Sequence, residues 1–171
     1  MVTAVGHFVK SYEFVRARTL DFLANIEKLP NPQAALSWRP GPGRAHIGWQ
    51  LMHVGLTEDI FASERLAQKP GRFADLWPRF RGGSTPDDKV PAAELIRRVL
   101  GESRAHLLAT LGEYDDSRLE EIPEALKQRN WTVRTVLNVI GWHEAHHHGQ
   151  AHLTYNLYRA AHDSALPKVG H

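Results

Sequence analysis

Residues 142–150 read WHEAHHHGQ and place four histidines in one short stretch, three of them consecutive. Around this stretch, apolar residues recur every three or four positions, which is the spacing of one face of an α-helix. The residues on this face are Val133, Val136, Ile140, Ala151, Thr154 and Tyr158. At about 100° per residue, His147 lies roughly 20° and His143 roughly 60° from Ile140, on the same side. A helix predicted over residues 132–161 therefore carries two imidazoles, one turn apart, on the face that should be buried.

Two buried imidazoles one turn apart are suited to holding a single divalent metal ion, because one ion satisfies a ring nitrogen of each. His53 can supply a third ligand, since it lies near the centre of the apolar face of another predicted helix. Three neutral histidines suit Zn²⁺, Ni²⁺ or Fe²⁺ and leave an open position for water or substrate. The sequence thus predicts a metal site formed by His53, His143 and His147.

Three more helices follow from the same periodicity, over residues 7–29, 44–68 and 91–111. Pro30 and Pro32 should end the first helix, because proline cannot continue the hydrogen-bond ladder. The Pro-, Gly- and Arg-rich residues 69–90 are long enough, when extended, to return along the whole length of a helix. We therefore predict an all-α fold, a four-helix bundle with a long crossover between helices 2 and 3, as a single domain over residues 1–171.

The composition narrows the class of protein. The chain has 21 Lys and Arg against 19 Asp and Glu, a net charge of +2, and no block of like charges, so neither nucleic acid nor a membrane surface is an expected partner. It contains no cysteine, which excludes disulfides, thiolate metal ligands and a cysteine nucleophile. Neither a signal peptide nor a membrane-spanning apolar run is recognisable, and a cytoplasmic protein is expected.

The letters HEAHH at residues 143–147 also match the H-E-x-x-H motif of zinc peptidases, in which Glu144 would be the base. The extended form of that motif fails, because Gln150 and Leu153 stand where glycine and histidine are required. No glutamate follows Glu144 to serve as a later ligand. A di-iron site would need a second E-x-x-H motif, which the chain lacks. Both interpretations are therefore disfavoured.

Glu144 and His46 are the candidates for proton transfer beside the metal. Glu144 lies roughly 40° from the centre of its helical face, so its carboxylate could contact a ligand imidazole or act as a base. It could equally be a boundary carboxylate paired with arginine or lysine. His46 lies two turns before His53 on the same predicted face, and it could face the substrate or simply be a core or surface residue.

Three segments resemble the DinB / YfiT-like metalloenzyme family: SWRP at residues 37–40, HIGWQLMH at 46–53 and HEAHHHGQ at 143–150. The resemblance implies a four-helix bundle of up-down-down-up topology that is usually a homodimer. It also implies a divalent metal, commonly Zn or Ni, bound by His53, His143 and His147. His146 adds an ambiguity of register, since an i, i+3 pair is also possible, although the angular count favours His147.

Members of this family with assigned chemistry use low-molecular-weight thiols as co-substrates. The resemblance therefore implies a metal-dependent enzyme, specifically a thiol-dependent S-transferase acting on small electrophiles. Two alternatives remain open at the level of sequence. One is metal-activated hydrolysis of amides or esters, with water in the open position. The other is a non-catalytic metal-binding stress protein.

Overall fold

A computed structural model describes residues 3–162 and shows an all-helical protein, as the sequence predicts. The α-helices are α1 (Ala4–Glu27), α2 (Pro32–Ser37), α3 (Ile47–Ile60), α4 (Trp77–Phe80), α5 (Ala93–Leu111) and α6 (Val133–His162). Within residues 3–162 there is no strand, and no helix is long and apolar enough to cross a membrane.

The long helices α1, α3, α5 and α6 lie where the periodicity predicts them. α3 continues directly into a π-helical segment, Phe61–Ala67, and the helix ends where Gln68 adopts a left-handed conformation with φ of 53°. The short helix α2 was not predicted, because Pro30 and Pro32 were interpreted only as a stop signal. In fact Pro32 is the first residue of α2, and the Asn31 side chain caps it by accepting a hydrogen bond from the Ala34 amide (3.1 Å).

The core consists of two apolar clusters. One surrounds Phe22, Ile96 and Tyr155, and the other surrounds Tyr12 and Leu107. The first draws on α1, α3, α5 and α6, and the second draws on α1, α5, α6 and the π-helical segment that continues α3. Burial of these side chains from several helices is the main favourable contribution to folding.

A layer of four buried charges separates the two clusters: Arg16 of α1, Glu58 of α3, Arg104 of α5 and Glu144 of α6. Glu144 accepts hydrogen bonds from Arg16 Nε (2.7 Å) and Arg104 Nη2 (2.5 Å). Glu58 accepts one from Arg16 Nη2 (2.9 Å) and is also paired with Arg104. We call these residues the charged layer. Each long helix contributes one member, so the layer fixes the helices relative to one another.

Buried Asp59 holds the start of the crossover between α3 and α5. Its carboxylate accepts hydrogen bonds from the Arg72 amide (3.1 Å), the Phe73 amide (3.0 Å) and Trp77 Nε1 (3.0 Å). Gly71 allows this arrangement, because a Cβ at that position would lie only 2.0 Å from Cζ2 of Trp77. The crossover therefore runs against α3, where its later residues reach the histidines.

Candidate metal centre

The three predicted ligands lie close together. His53 comes from the middle of α3, and His143 and His147 face it from consecutive turns of α6. One ring nitrogen from each lies within 4.8 Å of the others, and the ring centroids are 4.5–4.8 Å apart. His146, the alternative raised by the register, lies outside this group: it is exposed and stacks on Trp142. Among residues 3–162, the three histidines form a group that could hold a metal ion.

Two of the rings are oriented by oxygen acceptors. Nδ1 of His53 donates to the Phe80 carbonyl (2.6 Å), and Nδ1 of His147 donates to Oε1 of Gln50 (2.5 Å). With the proton on Nδ1, the lone pair of each ring is on Nε2. Such outer hydrogen bonds typically fix the tautomer and direction of metal-binding histidines.

The contact between His53 and His143 provides a test of whether a metal fits. Their Nε2 atoms are 3.0 Å apart. Two neutral ring nitrogens at this distance need a proton or a cation between them, because two lone pairs would repel. Nitrogen ligands about 2.0–2.1 Å from a single ion in a tetrahedral site are about 3.3 Å apart, close to this separation. The residues present therefore suit a divalent ion that replaces the proton shared by the two rings.

The surroundings keep these imidazoles neutral. Burial, together with the neighbouring histidines, lowers the pKa of His143 to about 3. Burial and the nearby His53 and His146 lower the pKa of His147 to about 4. Burial also lowers the pKa of His53, whose ring is stacked on Trp49 at 4.7 Å. Neutral imidazole is the form that binds a metal, so the site is ready to bind at neutral pH.

Metal affinity is expected to resist mild acid. Protons compete with the metal only as the imidazoles titrate, and the pKa values of His143 and His147 lie well below the ordinary 6.5. From about pH 7.5 to about pH 5.5, two ordinary imidazoles would lose roughly a hundredfold in apparent affinity, but here we expect less than about threefold. Competition from protons at His143 and His147 should begin only as the pH approaches 4. Calorimetric titration of Zn²⁺ at several pH values measures this, with a helical peptide carrying an exposed i, i+4 histidine pair as reference. A hundredfold loss in the protein would contradict the prediction.

Glu144 lies next to His143 in sequence but is engaged elsewhere. Both of its carboxylate oxygens accept hydrogen bonds from Arg16 and Arg104. Burial disfavours its charged form, but the two guanidinium groups outweigh burial and hold the pKa of Glu144 below its ordinary value. This arrangement favours the structural alternative, a carboxylate paired with arginine. A role for Glu144 as a base stays a prediction that none of these contacts supports.

Both ring nitrogens of His46 also make hydrogen bonds. It is the N-cap of α3, with Nδ1 accepting from the Trp49 amide (2.9 Å) and Nε2 donating to the Asp87 carbonyl (3.0 Å). These bonds define one neutral tautomer, and burial lowers the pKa of His46. The contacts describe a helix cap that ties α3 to the crossover. Proton transfer by His46 likewise stays a prediction.

The sequence did not indicate several residues around the centre. Gln50 lies one turn before His53, a spacing that could have identified it as an outer partner. The Phe80 carbonyl could not have been found, because its contact depends on the path of the crossover. The same is true of a cavity of about 290 Å³ that reaches His53 and His143, since its walls come from α3, the π-helical segment, the crossover, the α5–α6 connection and α6.

Fold and site together define an all-helical protein with a candidate three-histidine metal centre. Comparison with protein families finds that the DinB superfamily matches residues 11–151, which include all three histidines. The chain belongs to the DinB superfamily. Comparisons with curated proteins and with solved structures found no significant match.

Proposed function

We propose that the chain is a divalent-metal-dependent enzyme that transfers a low-molecular-weight thiol to a small electrophile. The observation that carries the proposal is the convergence of three neutral imidazoles from two helices beside a cavity. Three protein ligands are the usual complement of a catalytic rather than a structural zinc site, because they leave a position open. The ligands proposed are His53, His143 and His147, with Zn²⁺ or Ni²⁺ as the ion.

The charge of a bound divalent ion would favour the deprotonated form of a thiol at neutral pH. The chain itself supplies orientation and shielding. Phe80 and Gln50 hold the rings of His53 and His147, and the Trp49 ring covers one face of His53. Because the chain has no cysteine, the reacting sulfur must come from a co-substrate.

In the proposed transfer, the sulfur of the co-substrate forms a bond to the electrophilic carbon. The leaving group departs with the electron pair of the bond that breaks, and the thiol proton is released to water. The cavity beside His53 and His143 is where the electrophile would be held. Its volume of about 290 Å³ suits a small molecule, near the lower end of typical ligand sites.

Spectroscopy of the Co²⁺-substituted protein tests the function. We expect a panel of low-molecular-weight thiols to change the visible spectrum of the bound Co²⁺, because a sulfur ligand enters the open position. Alcohols of matched structure serve as controls and should leave the spectrum unchanged. No response to any thiol would reject the transferase proposal, and turnover of an amide or ester panel by the same preparation would replace it with the hydrolase.

The finer architectural features implied by the resemblance belong to the same proposal. The long helices α1, α3, α5 and α6 would form the up-down-down-up bundle, with residues 69–90 as its crossover. The homodimer, the cytoplasmic location and the single domain over residues 1–171 stay predictions. Exposed apolar side chains support the homodimer: Trp142, Leu153 and Leu157 on α6 and Phe14 on α1.

A further inference from the structure

The cavity beside the candidate metal centre is lined by positively charged side chains. Among residues 3–162, its lining includes three arginines, Arg65, Arg81 and Arg129, and no aspartate or glutamate. The other polar groups in the described part of its lining are the side chains of Thr57, His53 and His143 and the indole N–H of Trp131. No carboxylate of the described residues lies in the wall to offset the positive charge of the guanidinium groups.

These arginines differ from most of the others in residues 3–162. Eight guanidinium groups elsewhere are paired with carboxylates; they belong to Arg16, Arg39, Arg72, Arg79, Arg97, Arg104, Arg118 and Arg134. Arg81 and Arg129 have no ion pair with any residue of the described part of the chain, and Arg65 contacts only its neighbour Glu64 (3.0 Å). Two of the three cavity arginines, Arg81 and Arg129, therefore carry a charge that no carboxylate of the described residues neutralises.

The rest of the wall is apolar and aromatic. The Phe61 and Trp131 rings are stacked at 6.4 Å, nearly parallel, and Leu126 and Val139 complete this side. The guanidinium of Arg129 lies over the Trp131 ring, 5.3 Å from its centroid, which orients that cation without neutralising it. A ligand that fits this cavity combines a carbon skeleton with at least one negative group.

We infer that the cavity binds the oxyanion group, carboxylate or phosphate, of a small molecule that reacts at the metal centre. A guanidinium group presents parallel N–H donors that match the two oxygens of a carboxylate or phosphate. Arg81 and Arg129 are exposed and Arg65 is half-buried, so these donors are accessible to a ligand that enters from solvent. The inference rests on the proposed function and deepens it. One of the two substrates, the thiol or the electrophile, therefore carries a carboxylate or phosphate group.

Anion binding by the metal-free protein tests this inference. Succinate and inorganic phosphate are the two probes, and succinamide is the uncharged match for succinate. We expect at least one anion to bind measurably in calorimetric or NMR titration, and succinamide not to bind. Succinate alone would identify a carboxylate site and phosphate alone a phosphoryl site; either result supports the inference. Equal binding of succinamide, or no binding of either anion, overturns it.

Single substitutions localise the binding. Arg81→Gln and Arg129→Gln are each expected to raise the Kd for the anion about tenfold, since each removes a charge-assisted contact. Arg98→Gln is the matched control, because Arg98 is an exposed arginine of α5 that does not line the cavity and has no ion pair within residues 3–162. Its Kd should stay within about twofold of the original. If the Arg98 substitution weakens binding as much as the cavity substitutions, the anion is attracted by overall charge and the inference fails.

The anion titration uses metal-free protein, so its result is independent of the Co²⁺ spectroscopy that tests the proposed function. Anion binding without a response of Co²⁺ to thiols would reject the transferase and keep the oxyanion site. A thiol response without anion binding would keep the transferase and reject the oxyanion site.

Discussion

Replacing Glu144 by alanine is expected to lower the free energy of unfolding by about 3–5 kcal/mol, because it leaves buried guanidinium charge without a counter-ion. In the charged layer Glu144 balances Arg16 and Arg104, and the side chains of all three are at least nine-tenths buried. The remaining carboxylate, Glu58, cannot compensate two cations alone. Urea denaturation of the metal-free protein at pH 7 measures the effect.

Two further substitutions make the test specific. Glu120→Ala removes an exposed carboxylate that pairs with Arg134 at 2.6 Å, and it should cost less than about 1 kcal/mol. Glu144→Gln keeps the shape and the acceptor oxygen but loses the charge, so its cost should lie between the two. Similar losses for Glu144→Ala and Glu120→Ala would show that the charged layer adds little to stability. A stable Glu144→Gln protein that binds metal but is inactive would instead support the predicted catalytic role of Glu144.

Replacing His53 or His147 by alanine is expected to remove tight metal binding. Loss of an outer hydrogen-bond partner alone typically costs roughly 10–100-fold in metal affinity, and loss of a ligand should exceed this. Elemental analysis and calorimetric titration of Zn²⁺ measure occupancy and affinity. The metal-dependent rise in thermal stability should disappear with the affinity, because a ligand stabilises only the form to which it binds.

His146→Ala is the matched control, since His146 neighbours His147 but is exposed and lies outside the histidine group. It should keep full metal occupancy. Gln50→Ala removes only the acceptor for Nδ1 of His147 and should give an intermediate loss. Unchanged occupancy in the His53 or His147 variant, or loss in the His146 variant, would contradict the ligand set proposed here.

Local periodicity was enough to predict the long helices and the grouping of the histidines. His143 and His147 share a helical face because of their spacing alone, and His53 lies near the middle of an apolar face on α3. Each of these properties is set within one helix. The helical pattern also continues unchanged through residues 61–67, so the change to π-helical hydrogen bonding there left no recognisable signal.

What the sequence did not reveal depends on contacts between distant segments. The position of Glu144, at the edge of its helical face, was compatible with both a base and an ion pair. Its partners on α1 and α5 favour the ion pair, and no local pattern identifies them. The cavity arginines come from three separate segments, so their common location depends on how the crossover and the α5–α6 connection fold.

The charged layer would have to be included if the three histidines were transferred to another protein scaffold. Glu144 directly follows His143 in α6. The arginines that bind its carboxylate therefore also fix the rotation of α6 about its own axis, and with it the direction of the imidazoles. A shift of α6 by one turn would leave the guanidinium groups of Arg16 and Arg104 in apolar surroundings without the Glu144 carboxylate. A graft that copied the histidines and omitted the arginines of the charged layer would lose this control over the orientation of the helix that carries His143 and His147.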